Sequence, residues 1–223
     1  MLKSTILDNI GRRHGTDKCG GGEGRHDYLR KYEFFLGPLR NQNFTFLELG
    51  VFKGASLKTW SEFFPQAQII GADIEPEAAQ YRCDNARVIV GDLSQNEFLL
   101  TLKEFSPLVV LDDASHWWPD QLRAFFTFYP DLPSGGLYII EDIHTSFEPL
   151  APHFSSGLDT PPFNFLLKLA EYLTGNDRPA PIIKGQNLVP MSRDPKFDAE
   201  LRYLADITDA VVFIERACLL IRK

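Results

Sequence analysis

Leu108-Val109-Val110-Leu111-Asp112-Asp113-Ala114-Ser115-His116 is answered further along the chain by Leu137-Tyr138-Ile139-Ile140-Glu141-Asp142-Ile143-His144. Each is a run of four apolar residues that stops at acids and a histidine. Unbroken aliphatic runs of this length are what parallel strands covered on both faces require, so both are read as buried strands. Asp113 and Glu141 are 141 − 113 = 28 residues apart, about the length of one strand-helix-strand unit. The two acidic stretches are therefore expected on the same carboxyl edge of a sheet, where open α/β folds bind ligands. Several carboxylates brought together repel unless a cation joins them, so a divalent-metal site is expected there.

Working back towards the start, residues 44–50 read as the first strand and residues 55–64 as the helix after it. The turn between them, Glu48-Leu49-Gly50-Val51-Phe52-Lys53-Gly54, has glycines for tight bending and close approach of a ligand. A nicotinamide fingerprint would place glycine at 48, 50 and 53, where this chain has Glu48, Gly50 and Lys53. A carboxylate at this turn suits a ligand with a cationic amino-acid portion. The second strand, residues 68–74, contains Asp73, which is 73 − 50 = 23 residues after Gly50, about where an acid meets ribose hydroxyls. The third strand, residues 87–92, ends at Asp92. Either acid alone could simply cap a following helix. The series of acidic strand ends points instead to a nucleoside pocket.

The composition is that of a globular protein: 223 residues, 44% hydrophobic and 24% charged, with net charge −7. The acidity argues against nucleic acid as a partner. Apolar runs are strand-sized, so no membrane span is expected, and no signal peptide is visible at the start. Three scattered cysteines, Cys19, Cys83 and Cys218, favour reduced thiols and a cytoplasmic location. Amphipathic periodicity predicts helices over residues 2–10 and 26–36, with a polar loop from Arg12 to Lys18 and a flexible Gly20-Gly21-Gly22-Glu23-Gly24 cluster between them. Further helices are expected from Pro76, over 94–105 and over 119–129. An aromatic, proline-rich insert follows, with one helix over 162–173 between loops at 149–161 and 175–190. Residues 201–207 and 211–214 are read as two final antiparallel strands.

Taken together, Gly15-Thr16-Asp17-Lys18, His26, Tyr28, Tyr32-Glu33, the segment from Leu47 to Ser56, Gly91-Asp92, Asp112-Asp113-x-Ser115-His116 and the segment from Gly136 to Ser146 resemble a known family. They are similar to the catalytic domain of macrolide-sugar O-methyltransferases of the mycinamicin and demethylmacrocin type, over roughly residues 14–146. The resemblance implies a class I, Rossmann-like, doubly wound and mostly parallel seven-stranded α/β sheet with an antiparallel end. It implies S-adenosylmethionine and Mg2+, or another divalent cation such as Mn2+, as cofactors. By position, Asp113, Glu141 and Asp142 correspond to metal ligands and His116 to the general base. Thr16, Tyr28, Glu48, Gly50, Asp73, Asp92 and Asp112 correspond to the cofactor side, with Glu48 and Gly50 at the methionine end, Asp73 at the ribose and Asp92 at the adenine.

Three departures accompany the resemblance: the amino-terminal domain of some members is not expected here, Ala114 stands where glycine is common and Leu93 where glutamine often follows Gly-Asp, and the insert over 147–195 carries no resemblance. The domain organisation expected is a single methyltransferase domain over 1–223, with a helical cap at 1–40 and a substrate-lid insert at 147–195. The expected acceptor is a glycosylated natural product or another vicinal diol, and the expected assembly is a homo-oligomer. Two alternatives stay open from the residues: a catechol or phenol acceptor, and a cofactor-binding partner without turnover. His144 is a candidate for orienting substrate or a ligand carboxylate.

Overall fold

The computed structural model describes residues 5–21, 24–174 and 195–223, with side chains in the last segment from residue 199. The chain divides into two compact units, Met1–Ser115 and His116–Lys223. Its strands follow the order β3-β2-β1-β4-β5-β7-β6 in a seven-stranded mixed sheet, the architecture expected from the sequence.

In the first unit, helix α1 (Ile6–His14) begins at Thr5, whose hydroxyl accepts from the Asp8 N–H, and ends at Gly15 with φ 77°. The polar loop expected from Arg12 is thus partly wrong. Arg12, Arg13 and His14 form the last helical turn, where cations suit the carboxyl end of the helix dipole. Helix α2 (Leu29–Leu36) starts three residues later than expected and buries Leu29, Tyr32 and Leu36. The glycine cluster is described only at Gly20, Gly21 and Gly24; its remaining residues, and residues 1–4 of the first expected helix, lie outside the described part.

Strand β1 (Thr45–Leu49) lies between β2 (Gln68–Asp73) and β4 (Val109–Asp112), parallel to both, and β2 pairs parallel with β3 (Ala86–Val90). Helix α3 (Ala55–Phe63) follows β1 and α4 (Asn96–Lys103) precedes β4. After β2, the helix expected from Pro76 is only a short 3-10 turn, Pro76–Gln80. Because β2 and β3 lie on one side of β1 and β4 on the other, the connections reverse direction at β1. A crevice opens at such a switch point, beyond the carboxyl ends of the strands.

The second unit contains helix α5 (Trp118–Phe128), strand β5 (Leu137–Ile140), helices α6 (Ala151–Phe154), α7 (Pro162–Leu173) and α8 (Pro195–Asp206), and strands β6 (Thr208–Ile214) and β7 (Ala217–Arg222). Strand β7 pairs antiparallel with both β5 and β6. An aromatic core surrounds Phe125, which stacks on Tyr129 at 4.9 Å and meets Tyr138 and Phe165 edge-on at 5.4 and 5.6 Å. The bounds of α7 coincide with the expected helix; the loop expected over 175–190 lies outside the described residues up to 194.

The expected strand over 201–207 is corrected: these residues belong to α8, except Ile207. Leu201, Leu204 and Ala205 are buried while Tyr203 is 52% exposed, a helical spacing of three and four. The antiparallel end is therefore β6 and β7 turning at Glu215 and Arg216, one element later than expected.

Candidate active site

Glu48 occupies the fourth position of β1 and is fully buried. Its Oε1 accepts a 2.9 Å hydrogen bond from Trp60 Nε1 on α3, and its Oε2 has no hydrogen-bond partner in the structure. Burial pushes the Glu48 carboxyl up to about 7, opposed by Lys18 and by hydrogen bonds from Trp60 and Ser56, and reinforced by Asp113. A buried acid with an unused oxygen is costly unless a donor meets it. An ammonium group would meet both needs, so the residue fits the amino-acid end of S-adenosylmethionine.

Immediately after β1 the backbone turns at Gly50, with φ 87°, where a Cβ would come within 2.3 Å of the Asp113 carbonyl oxygen. The same closeness is seen in the hydrogen bond from Asp113 N–H to the Leu49 carbonyl at 2.9 Å. Asp73, at the end of β2, closes the turn from the other side. One of its oxygens accepts from the Val51 and Phe52 N–H groups at 2.8 and 2.9 Å, and the other from the Glu75 N–H at 3.0 Å. Asp73 thus shapes the turn itself, and the oxygen that meets Glu75 keeps lone-pair capacity for a hydroxyl.

Asp92 makes a local turn, accepting from Ser94 N–H at 2.8 Å and from Gln95 Nε2 at 3.1 Å. Asp112 is buried, with Oδ1 3.4 Å from the Ala114 N–H. Thr16 and Tyr28 are both buried. The Thr16 hydroxyl lies 3.4 Å from the Lys18 N–H, and the Tyr28 ring stacks on Tyr32 at 5.6 Å.

Lys18 is the residue that sequence reasoning missed. Its ammonium, 3% exposed as a residue, pairs with the Asp113 carboxylate. Its carbonyl accepts from Tyr28 and Leu29 N–H at 2.8 and 3.1 Å. The only signal was its place in Gly15-Thr16-Asp17-Lys18, and a partner 95 residues away cannot be read from that.

The second unit brings His116, Asp142 and His144 together. His116 Nε2 lies 3.5 Å from one Asp142 oxygen and His144 Nδ1 3.8 Å from the other. Both His116 and Asp142 adopt left-handed backbone, with φ 57° and 56°, a conformation that non-glycine residues occupy at a cost and that clusters at functional sites. The strained Asp142 is held by Thr145, whose N–H and hydroxyl both donate to its carbonyl at 3.0 and 2.9 Å. Glu141 is buried, and its carbonyl accepts from Gln121 Nε2 at 3.0 Å. Carboxylate oxygens beside an imidazole are hard and borderline donors of the kind divalent cations take.

Among known proteins, the chain is 34% identical over 152 residues to the 8-demethyl-8-alpha-L-rhamnosyl tetracenomycin-C 2'-O-methyltransferase of Streptomyces olivaceus, covering 64% of this chain and 39% of that protein. It is 33% identical over 154 residues to the mycinamicin VI 2''-O-methyltransferase of Micromonospora griseorubida, covering 64% and 37%. The chain thus spans about two fifths of the length of the curated relatives it matches. No family model matches it. Among solved structures, MycE methyltransferase from the mycinamycin pathway, in complex with Mg, SAH and mycinamycin VI, superposes with a TM-score of 0.76 at 23% identity, over 99% of this chain and 55% of MycE. This chain therefore has the fold of MycE methyltransferase, and the relatives it resembles in sequence are O-methyltransferases.

Proposed function

We propose that this protein is an S-adenosylmethionine-dependent O-methyltransferase, assisted by Mg2+ or a similar divalent cation, that methylates a sugar hydroxyl on a glycosylated natural product. The observation that carries the acceptor class is the sequence likeness to enzymes that methylate rhamnosyl, olivosyl and macrolide-borne sugars. Support for the cofactor comes from the buried Glu48 with its unused oxygen. Glu48 receives the amino group, Gly50 allows the ligand against the backbone, and Asp73 takes the ribose hydroxyls while holding the turn. Asp92 faces the adenine, and Thr16, Tyr28 and Asp112 complete the cofactor side.

Asp113, Glu141 and Asp142 are the proposed metal ligands. When bound, the cation supplies a Lewis acid that lowers the pKa of an acceptor hydroxyl and orients it. His116 receives the hydroxyl proton at Nε2, which lies 3.5 Å from the Asp142 carboxylate. Such assistance is typically worth about 10²–10⁴-fold, and in-line placement of the acceptor behind the methyl group supplies more. The segment 147–195 is proposed to choose the acceptor.

The described residues contain no helix long and apolar enough to cross a membrane. The proposed setting is the cytoplasm, consistent with the free cysteines, and the proposed assembly is a homo-oligomer, to be measured by light scattering. The functional test is methyl transfer to rhamnosylated polyketides and to catechols, each with and without chelator. Metal-dependent transfer to the sugars is expected; transfer to catechols alone would replace the acceptor class, and binding of cofactor without any transfer would make the protein a non-catalytic partner.

A further inference from the structure

The first unit contains a buried cation that none of the proposed catalytic roles uses. Lys18 is carried on a loop fixed from several directions. Gly20 N–H donates to the buried Asp8 carboxylate at 2.8 Å, and His26 N–H donates to the Asp17 carbonyl at 2.9 Å. The Lys18 carbonyl is held by the start of α2, and Arg25 donates to the Thr16 carbonyl at 2.8 Å. A loop held this way delivers its side chain to one place. That place is the β1 and β4 ends, where the ammonium pairs with Asp113 and lies close enough to Glu48 to influence its carboxyl.

Burying a lysine is expensive unless it is paired, and so is holding the buried Glu48 and the half-buried Asp113 together without a cation. We infer that Lys18 is a resident counter-cation of these acids: it pairs with Asp113, and a divalent ion must compete with it for that carboxylate. The inference rests on the reading of Asp113 as a metal ligand. Lys18 is thus a positioning residue that keeps the acidic strand ends assembled before metal arrives, while weakening metal affinity by its own charge.

Calorimetric titration of Mn2+ into the wild-type chain, Lys18→Met, Lys18→Arg and Asp113→Asn tests this, alongside thermal melts in chelator. Lys18→Met is expected to bind Mn2+ about tenfold more tightly than wild type, because a positive charge near the ion has gone, and to melt at a lower temperature in chelator. Lys18→Arg is expected to keep wild-type affinity. Should Lys18→Met fail to fold, lysine methylation in the wild type, followed by mass spectrometry, takes its place: Mg2+ should speed modification of Lys18 at least threefold. Unchanged or weaker Mn2+ binding by a folded Lys18→Met, or unchanged Lys18 reactivity, overturns the inference. Loss of Mn2+ binding in Asp113→Asn separates that outcome from failure of the metal reading itself, which is marked by no Mn2+ binding in wild type.

Discussion

Replacing Glu48 with glutamine isolates the electrostatic cost of the proposed cofactor anchor. The carboxyl is wholly buried and pushed up to about 7, against an ordinary value of 4.5. In the folded protein it therefore keeps a proton that the unfolded chain releases. Its destabilising contribution is absent below the unfolded value and grows as pH rises from about 4.5 to about 7. At about 1.4 kcal/mol per pH unit, that gap amounts to about 3 kcal/mol when fully developed. Glutamine keeps the acceptor for Trp60 Nε1 but leaves an amide where Oε2 had no partner, a penalty that does not change with pH. The informative quantity is therefore the difference in unfolding free energy between Glu48→Gln and wild type, compared at two pH values. Urea unfolding at pH 5 and pH 8 should show that difference moving about 2–3 kcal/mol in favour of the variant at the higher pH. A difference that stays flat refutes the raised carboxyl value and with it the argument that the site awaits a cationic group. The same variant should bind S-adenosylhomocysteine more weakly at pH 8, where wild-type Glu48 can meet an ammonium as a carboxylate.

Asp73→Ala removes the acceptor for the Val51 and Phe52 N–H groups and should cost about 1–3 kcal/mol in urea unfolding, together with a loss of cofactor affinity by calorimetry. Leu204→Ala, on the buried face of α8, should cost about 2–5 kcal/mol; a negligible effect would contradict its packing. His116→Gln should lower turnover about 10²–10⁴-fold with S-adenosylhomocysteine affinity preserved, and equal losses of both would assign His116 a structural role.

Strands β1 to β5 were legible because their apolar runs are short and are ended by acids or glycine. Helix α7 was legible to the residue because Pro161 and Pro162 fix its start and Pro162 needs no N–H partner there. Residues 201–207 misled for a definable reason. Leu201, Tyr203, Ala205 and Ile207 alternate like a strand, yet the buried set is Leu201, Leu204 and Ala205, with Tyr203 turned outward; seven residues cannot separate the two periods when apolar residues fill both. Around the site, the acids were found because their types and strand-end positions are local signals. The pairing of Lys18 with Asp113, the left-handed backbone at His116 and Asp142, and the unused Glu48 oxygen depend on tertiary neighbours and were not readable in the sequence.

The reaction proposed for this protein is metal-assisted methyl transfer to a sugar oxygen. Its most direct test is incubation with S-adenosylmethionine carrying a deuterated methyl group, Mg2+ and a rhamnosylated polyketide, read by mass spectrometry. The expected result is label on a sugar oxygen, abolished by chelator and restored by Mg2+. Label that persists undiminished in chelator, or that reaches a catechol and no sugar, would contradict the claim.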